Sequence, residues 1–253
     1  CKVLGRDDII ELCVIALLAD GHVLLEDFPG SGKTTLTIAI ICKLVMQGIP
    51  CAFFTYEMST EQLLAKMLSN ICEIDGERMN KGELTEPEKA IFLGMSDKLK
   101  KAPLKMENGS GMNAMALKSK IVTFAAQYST RVVVVDYLTL IPLLPSTKGS
   151  STADALGETV RILKETAEAA NLTIILLAQL SKETESNKWA RPTLKNLRDS
   201  GRIEDNADRV LFVWRPEYHN YQTVEYKGQD IDTRGKACIL QAKFRHGSIG
   251  STW

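Results

Sequence analysis

The chain has 253 residues, 45% hydrophobic and 25% charged, and its 31 basic residues balance its 31 acidic ones. That length buries the core of a single α/β domain spanning residues 1–253, and a neutral surface excludes whole-molecule attraction to DNA or an anionic membrane while leaving room for a local basic site. No apolar run approaches the ~20 residues that cross a bilayer, and the chain opens with no signal-like segment, so a cytoplasmic protein without membrane contact is expected.

The first element expected is an entry helix within residues 1–22, followed by a strand in His22–Glu26 (HVLLE). Next comes EDFPGSGKTTL. The phosphate-loop pattern G-x-x-x-x-G-K-[ST] fails at its first position, where Asp27 replaces glycine, yet Pro29, Gly30, Ser31, Gly32, Lys33, Thr34 and Thr35 keep the remainder between a strand and a helix. Gly30 and Gly32 let backbone N–H groups turn around a phosphate, and the helix adds its positive end. Lys33 would reach the β- and γ-phosphates of ATP, and the Thr34 hydroxyl would ligate Mg²⁺. A phosphate loop implies a nucleotide and leaves open what the nucleotide powers.

Beyond it, β-rich runs alternate with helical patterns, as βαβ units do. The strands are read at 51–56, 131–137, 173–179, 209–214 and 237–244. The helices are read at Thr35–Gln47, Thr60–Ile71, Glu86–Lys100, Ala114–Tyr128 and Ala153–Ala169. The runs VVVV and IILL do not alternate with polar residues, so they should be central strands covered on both faces. Two stretches without apolar periodicity, 142–152 and 181–200, follow these central strands and read as loops. Ligands gather at the carboxyl ends of strands in open α/β sheets, which makes both loops functional candidates. Six cysteines, at 1, 13, 42, 51, 72 and 238, have no metal-ligand spacing and read as reduced thiols, mostly in the core.

Three polar residues sit where such an ATPase needs them. Asp136 ends the VVVV run and suits a Mg²⁺-holding role through water. Tyr137 follows it where an AAA+ enzyme carries its water-activating glutamate, so the base must lie elsewhere. Glu57, just past the second strand, could orient and deprotonate the attacking water; resemblance to RecA-like proteins implies that this strand neighbours the phosphate-loop strand. Gln179, ending TIILLAQ, could contact a γ-phosphate and report to the loop after it. Taken singly, Glu57 reads as a solvated turn residue and Gln179 as a polar residue leaving a buried strand.

With YEMSTEQL, VVVDYLTL, LLAQLSK, LRDSGRIEDNADRVLF and AKFRHGSIG in this order, the chain from about Thr34 onward resembles the ATPase domain of DnaB-type replicative helicases. The resemblance implies a RecA-like fold with a mostly parallel sheet flanked by helices, a homo-hexameric ring, NTP hydrolysis at subunit interfaces and translocation on single-stranded DNA in replication. It implies that Lys243 and Arg245 of AKFRHG reach the neighbouring subunit's nucleotide, Arg245 as an arginine finger; bringing the two together is expected to need a strand end or bend, which Gly247 would permit. It also makes Arg198, Asp199 and Gly201 of LRDSG the candidate DNA contacts, within a stretch where Lys182, Lys188, Arg191, Lys195, Arg198 and Arg202 outnumber Glu183, Glu185 and Asp199. A helicase loader or primase would be a further partner in a full-length context.

Several positions depart from the family pattern: Asp199 for glutamate, Thr139 for glutamine, and His246 and Ser248 for asparagine and proline. Residues 1–33 instead resemble the opening of MoxR-type AAA+ ATPases, Asp27 included. Two other readings follow, a MoxR-like ATPase that remodels a protein partner and a nucleotide-binding module without productive turnover. The first requires a glutamate after Asp136 and a helical lid domain, and the sequence has neither.

Overall fold

The structure, a computed structural model, describes residues 23–27, 33–179, 192–194, 201–245 and 249–252. Eight strands form one sheet: β1 (Val23–Asp27), β2 (Cys51–Thr55), β3 (Leu104–Asn108), β4 (Val132–Asp136), β5 (Thr173–Gln179), β6 (Arg209–Trp214), β9 (Cys238–Phe244) and β10 (Gly250–Thr252). Their order across it is β10-β9-β6-β1-β5-β4-β2-β3. The strands from β6 to β3 are mutually parallel, and β9 and β10 close one flank antiparallel.

The unbroken apolar runs explain the layering. Side chains alternate along a strand, so β4 sends Val132 and Val134 into one core and Val133 and Val135 into the other. β5 does the same with Ile175 and Leu177 against Ile174, Leu176 and Ala178. On the first face, α1 (Lys33–Met46), α2 (Thr60–Cys72) and α4 (Glu86–Lys101) contribute Ile41, Leu44, Leu63, Met67 and Leu99. On the second, α5 (Ala114–Tyr128) and α6 (Thr152–Ala170) contribute Leu117, Ile121, Leu156, Val160 and Leu163. Each such buried aliphatic side chain contributes about 1.5–3 kcal/mol, enough in sum to hold the sheet between two helical layers.

The helices begin where side chains satisfy their free N–H groups. Ser59 and Gln62 form a reciprocal capping box at α2; Asn113 caps α5 through the amides of Met115 and Ala116, and Ser151 caps α6 through that of Asp154. Two short helices, α3 (Gly76–Lys81) and α7 (Gly201–Asn206), complete the set. A separate hairpin, β7 (Thr223–Tyr226) with β8 (Gln229–Asp232), turns on Lys227 and Gly228. Both have positive φ, at 51° and 77°, as a two-residue primed turn requires.

The five helices and the central strands lie within a residue or two of their sequence positions. Strand β3, helix α3 and the β7–β8 hairpin are additions that periodicity did not reveal. One expectation is overturned: β2 does not neighbour the phosphate-loop strand, because β5 and β4 lie between β1 and β2. The entry helix of residues 1–22, most of the 181–200 loop, and Pro29–Gly32 lie outside the described residues.

Candidate nucleotide-binding site

Strand β1 delivers the chain to the first turn of α1, of which Lys33 is the first residue and Thr34 the second. The Thr34 hydroxyl donates to Asp136 Oδ2 at 3.1 Å. Asp136 is 2% exposed at the carboxyl end of β4. A hydroxyl and a carboxylate at this separation are hard oxygen donors of the kind Mg²⁺ takes, and Mg²⁺ ordinarily completes its shell with phosphate and water rather than a protein cage. Among the described residues no three His, Cys, Asp or Glu side chains gather into a metal cluster.

Glu57 lies one strand further along the same edge. Thr55, fully buried, stands in register with Asp136, and the Tyr56 N–H donates to the Asp136 carbonyl at 2.7 Å. Beyond this point the chain turns sharply: Thr55 Oγ1 donates to the Met58 carbonyl at 2.9 Å and accepts from the Met58 N–H at 3.2 Å. The α2 capping box then fixes the exit. Glu57, between these two clamps, is exposed. Although β2 is not beside β1, Glu57 still shares one open cleft of about 1300 Å³ with Thr34 and Thr35, because α1 crosses the sheet face.

Gln179 ends β5 in register with Asp27, and its side chain lies near the Tyr137 phenol. That phenol is pushed above its ordinary range by burial and then by the nearby Glu57 and Asp136 carboxylates, while Gln179 opposes the shift. Tyr137, set aside in the sequence as unable to act as a base, is thus a member of the site. Nothing in the sequence signals this contact, which joins residues from the ends of two different strands.

Lys243 and Arg245 lie elsewhere. Phe244 pairs with Arg209, the first residue of β6, which is level with Val23 of β1 and through it with Ile175 of β5 and Val134 of β4. Arg245 therefore sits four strand spacings from Asp136 and about three residues below it, roughly 20 Å away. β9 ends at Phe244, between the two cations, positions two apart on a strand share a face in any case, and Gly247 lies outside the described residues. Both engage the end of α7, Lys243 Nζ donating to the Glu204 carbonyl at 2.5 Å and Arg245 Nη2 to the Asp205 carbonyl at 2.9 Å. Burial, and then the Arg245 charge, lower the Lys243 pKa.

Residues 19–252 match the sequence profile of the DnaB-like helicase C terminal domain. The chain belongs to this family. The matched span takes in β1 and the phosphate loop. A probable replicative DNA helicase of Trieres chinensis is 31% identical over 90% of this chain and 50% of its own length. The replicative DNA helicase DnaB of Buchnera aphidicola subsp. Baizongia pistaciae is 30% identical over 90% and 48%. The chain thus spans about half the length of the curated relatives it matches.

Two solved structures share its fold with a TM-score of 0.80 each. One is an isolated ATPase domain, 20% identical, covering 92% of this chain and 80% of that one. The other is a DnaB-like replicative helicase described with its interactions with primase, 21% identical, covering 92% and 54%. The fold is RecA-like, with the mostly parallel sheet and flanking helices the sequence implied.

Two loops of this DnaB-like domain, 142–152 and 181–200, are the functional candidates that follow the central strands. The first, 142–152, carries a short 3₁₀ turn at Pro145–Thr147. It is anchored by Leu144, which packs with Ala114 and Ile162, and Leu143 beside it is exposed. In the second, Arg198 and Asp199 lie outside the described residues, and Gly201 begins α7. Among the described residues no helix is long and apolar enough to cross a membrane.

Proposed function

We propose that this domain is the motor of a replicative DNA helicase, hydrolysing Mg-ATP at the interfaces of a homo-hexameric ring and coupling turnover to movement along single-stranded DNA. The observation that carries this reading is the separation of roughly 20 Å between Arg245 and Asp136. One chain cannot close its own arginine onto its own nucleotide, whereas a neighbouring copy can bring the two flanks together.

In this reading the Pro29–Gly32 loop, through the backbone N–H groups of Gly30, Ser31 and Gly32, together with Lys33 would hold the phosphates, and Thr34 and Asp136 would hold Mg²⁺, which supplies neutralisation of phosphate charge when bound. Glu57 orients the water and takes its proton. Gln179 contacts the γ-phosphate from the end of β5. The neighbour's Lys243 and Arg245 stabilise charge developing on the transferred group. The loops at 142–152 and 181–200 line the DNA channel, where Arg198, Asp199 and Gly201 track the backbone, and six copies multiply a modest basic excess around one strand. A cytoplasmic setting and a loader or primase as partner belong to the same proposal.

The test is steady-state ATP hydrolysis with and without single-stranded DNA. DNA should stimulate turnover, and Arg245→Ala should abolish it while nucleotide affinity is retained. An Arg245→Ala protein that hydrolyses ATP normally would end the shared-site reading.

A further inference from the structure

Arg245 is held at both ends by one residue. Its backbone N–H donates to the Asp208 carbonyl at 2.9 Å, and its guanidinium Nη1 lies 3.2 Å from Asp208 Oδ1. The second terminal nitrogen donates to the Asp205 carbonyl. Asp208 is itself fixed from within: Lys164 of α6 sits 3.1 Å from the same carboxylate oxygen, and the Asp208 and Lys164 side chains are only 10% and 14% exposed. The Arg245 side chain, at 42%, faces outward.

We propose that Asp208 is a positioning residue for Arg245: it sets the direction of the guanidinium toward the neighbouring copy's nucleotide without touching that nucleotide. The proposal rests on the shared-site reading above. A guanidinium carries five N–H donors in a planar fork, and these contacts engage one on each terminal nitrogen, so the fork is oriented with donors to spare for a phosphate. An arginine stem has many rotamers, and fixing it before the subunits meet removes that entropy from the step in which phosphate charge is stabilised. The carboxylate is shared with Lys164, which weakens its hold on Arg245 and lets a more highly charged phosphoryl group compete for the remaining donors.

The arrangement is poorly explained as a stabilising ion pair. A half-exposed arginine adds little to stability through one carboxylate contact. A positioning role predicts instead a defect that appears in the neighbour's active site.

Complementation in mixed rings of the full-length protein tests this. Asp208→Ala should lower kcat for DNA-stimulated ATP hydrolysis about tenfold or more, with affinity for a fluorescent ADP analogue within a factor of two. Glu57→Gln subunits, inactive in their own sites but carrying an intact Arg245, should restore hydrolysis when mixed with Asp208→Ala subunits, above the sum of the separate activities. Arg245→Ala mixed with Glu57→Gln is the parallel arm. If that arm gives no recovery, the shared-site reading is wrong. If it recovers while Asp208→Ala keeps full kcat, or loses kcat without recovery on mixing, the positioning role is wrong. Asp208→Asn, which keeps the shape and an acceptor for Lys164, carries the same test should Asp208→Ala fail to assemble.

Discussion

The Thr34 hydroxyl donates to Asp136 across 102 positions of sequence, at 3.1 Å, and so joins the first turn of α1 to the end of β4. Because Asp136 is 2% exposed, its charge is directed at what lies above that turn rather than spread into solvent. Asp136→Asn keeps the shape and removes the charge, and should lower kcat for ATP hydrolysis about 10²–10³-fold, the usual cost of losing one preorganised electrostatic contact. Thr34→Ala should raise the Mg²⁺ concentration needed for half-maximal turnover, and Thr34→Ser should not. Titrating Mg²⁺ against hydrolysis checks both; an unchanged Mg²⁺ requirement in Thr34→Ala would remove Thr34 from the metal site.

The turn that carries Glu57 is closed on both sides by other residues, Thr55 with Met58 and Ser59 with Gln62. Glu57 is exposed, so Glu57→Gln should leave the melting temperature unchanged. Its effect should fall on the chemical step, lowering kcat about 10²–10⁴-fold, as expected for a general base, with nucleotide affinity preserved. Equal losses of affinity and kcat would show that the carboxylate is a binding group instead.

How much of this could be read in the sequence follows from where the signals live. The central strands were legible because β4 and β5 are covered on both faces and so carry runs such as VVVV. The β3 strand was not, because its five residues hold only two apolar ones, Leu104 and Met106, too short a pattern to stand out, on a flank that is only partly buried. Local motifs placed Thr34, Asp136, Glu57 and Gln179 along one sheet edge, but strand order depends on crossovers that periodicity does not encode, so β2 was set beside β1. Tyr137 and Asp208 were overlooked for a related reason: each meets Gln179 or Arg245 only once the sheet is assembled.

Cys42 and Cys51 are buried, and burial pushes both thiols up to about 12, with the neighbouring Cys42 adding to the shift at Cys51. Their neutral forms are favoured by the fold. The associated stability is therefore fully present below the unfolded thiol's ordinary value and is lost as pH rises toward 12. Denaturation midpoints should fall between about pH 9 and 12, and Cys51→Ala should flatten part of that decline. At pH 8 the native thiols should react with an alkylating agent on the order of 10³-fold more slowly than in the unfolded chain, because the thiolate is the reacting form. Cys72, the most exposed of the four described cysteines at 8%, should be modified first. Cys1→Ser and Cys13→Ser in the background keep the readout to those four, and rapid native labelling of Cys42 would contradict the burial.

Gly109 connects packing to the position of Glu57. A Cβ added there would lie 2.4 Å from Tyr56 Cε2, so the aromatic ring must move. The ring cannot retreat freely, because its hydroxyl donates to the Met112 carbonyl at 3.1 Å and its backbone N–H is bound to Asp136. Gly109→Ala should therefore cost about 1–3 kcal/mol through overpacking, and a domain of this size should melt about 2–4 °C lower for each kcal/mol. Because Glu57 is the next residue, kcat should fall as well. Tyr56→Phe removes only the hydroxyl bond, worth about 1 kcal/mol, and keeps the ring, so it should not relieve Gly109→Ala. Tyr56→Ala should relieve the clash, making the double variant less destabilised than the sum of its parts. Strict additivity in the melting temperatures of that pair would mean that the ring and the glycine do not constrain each other.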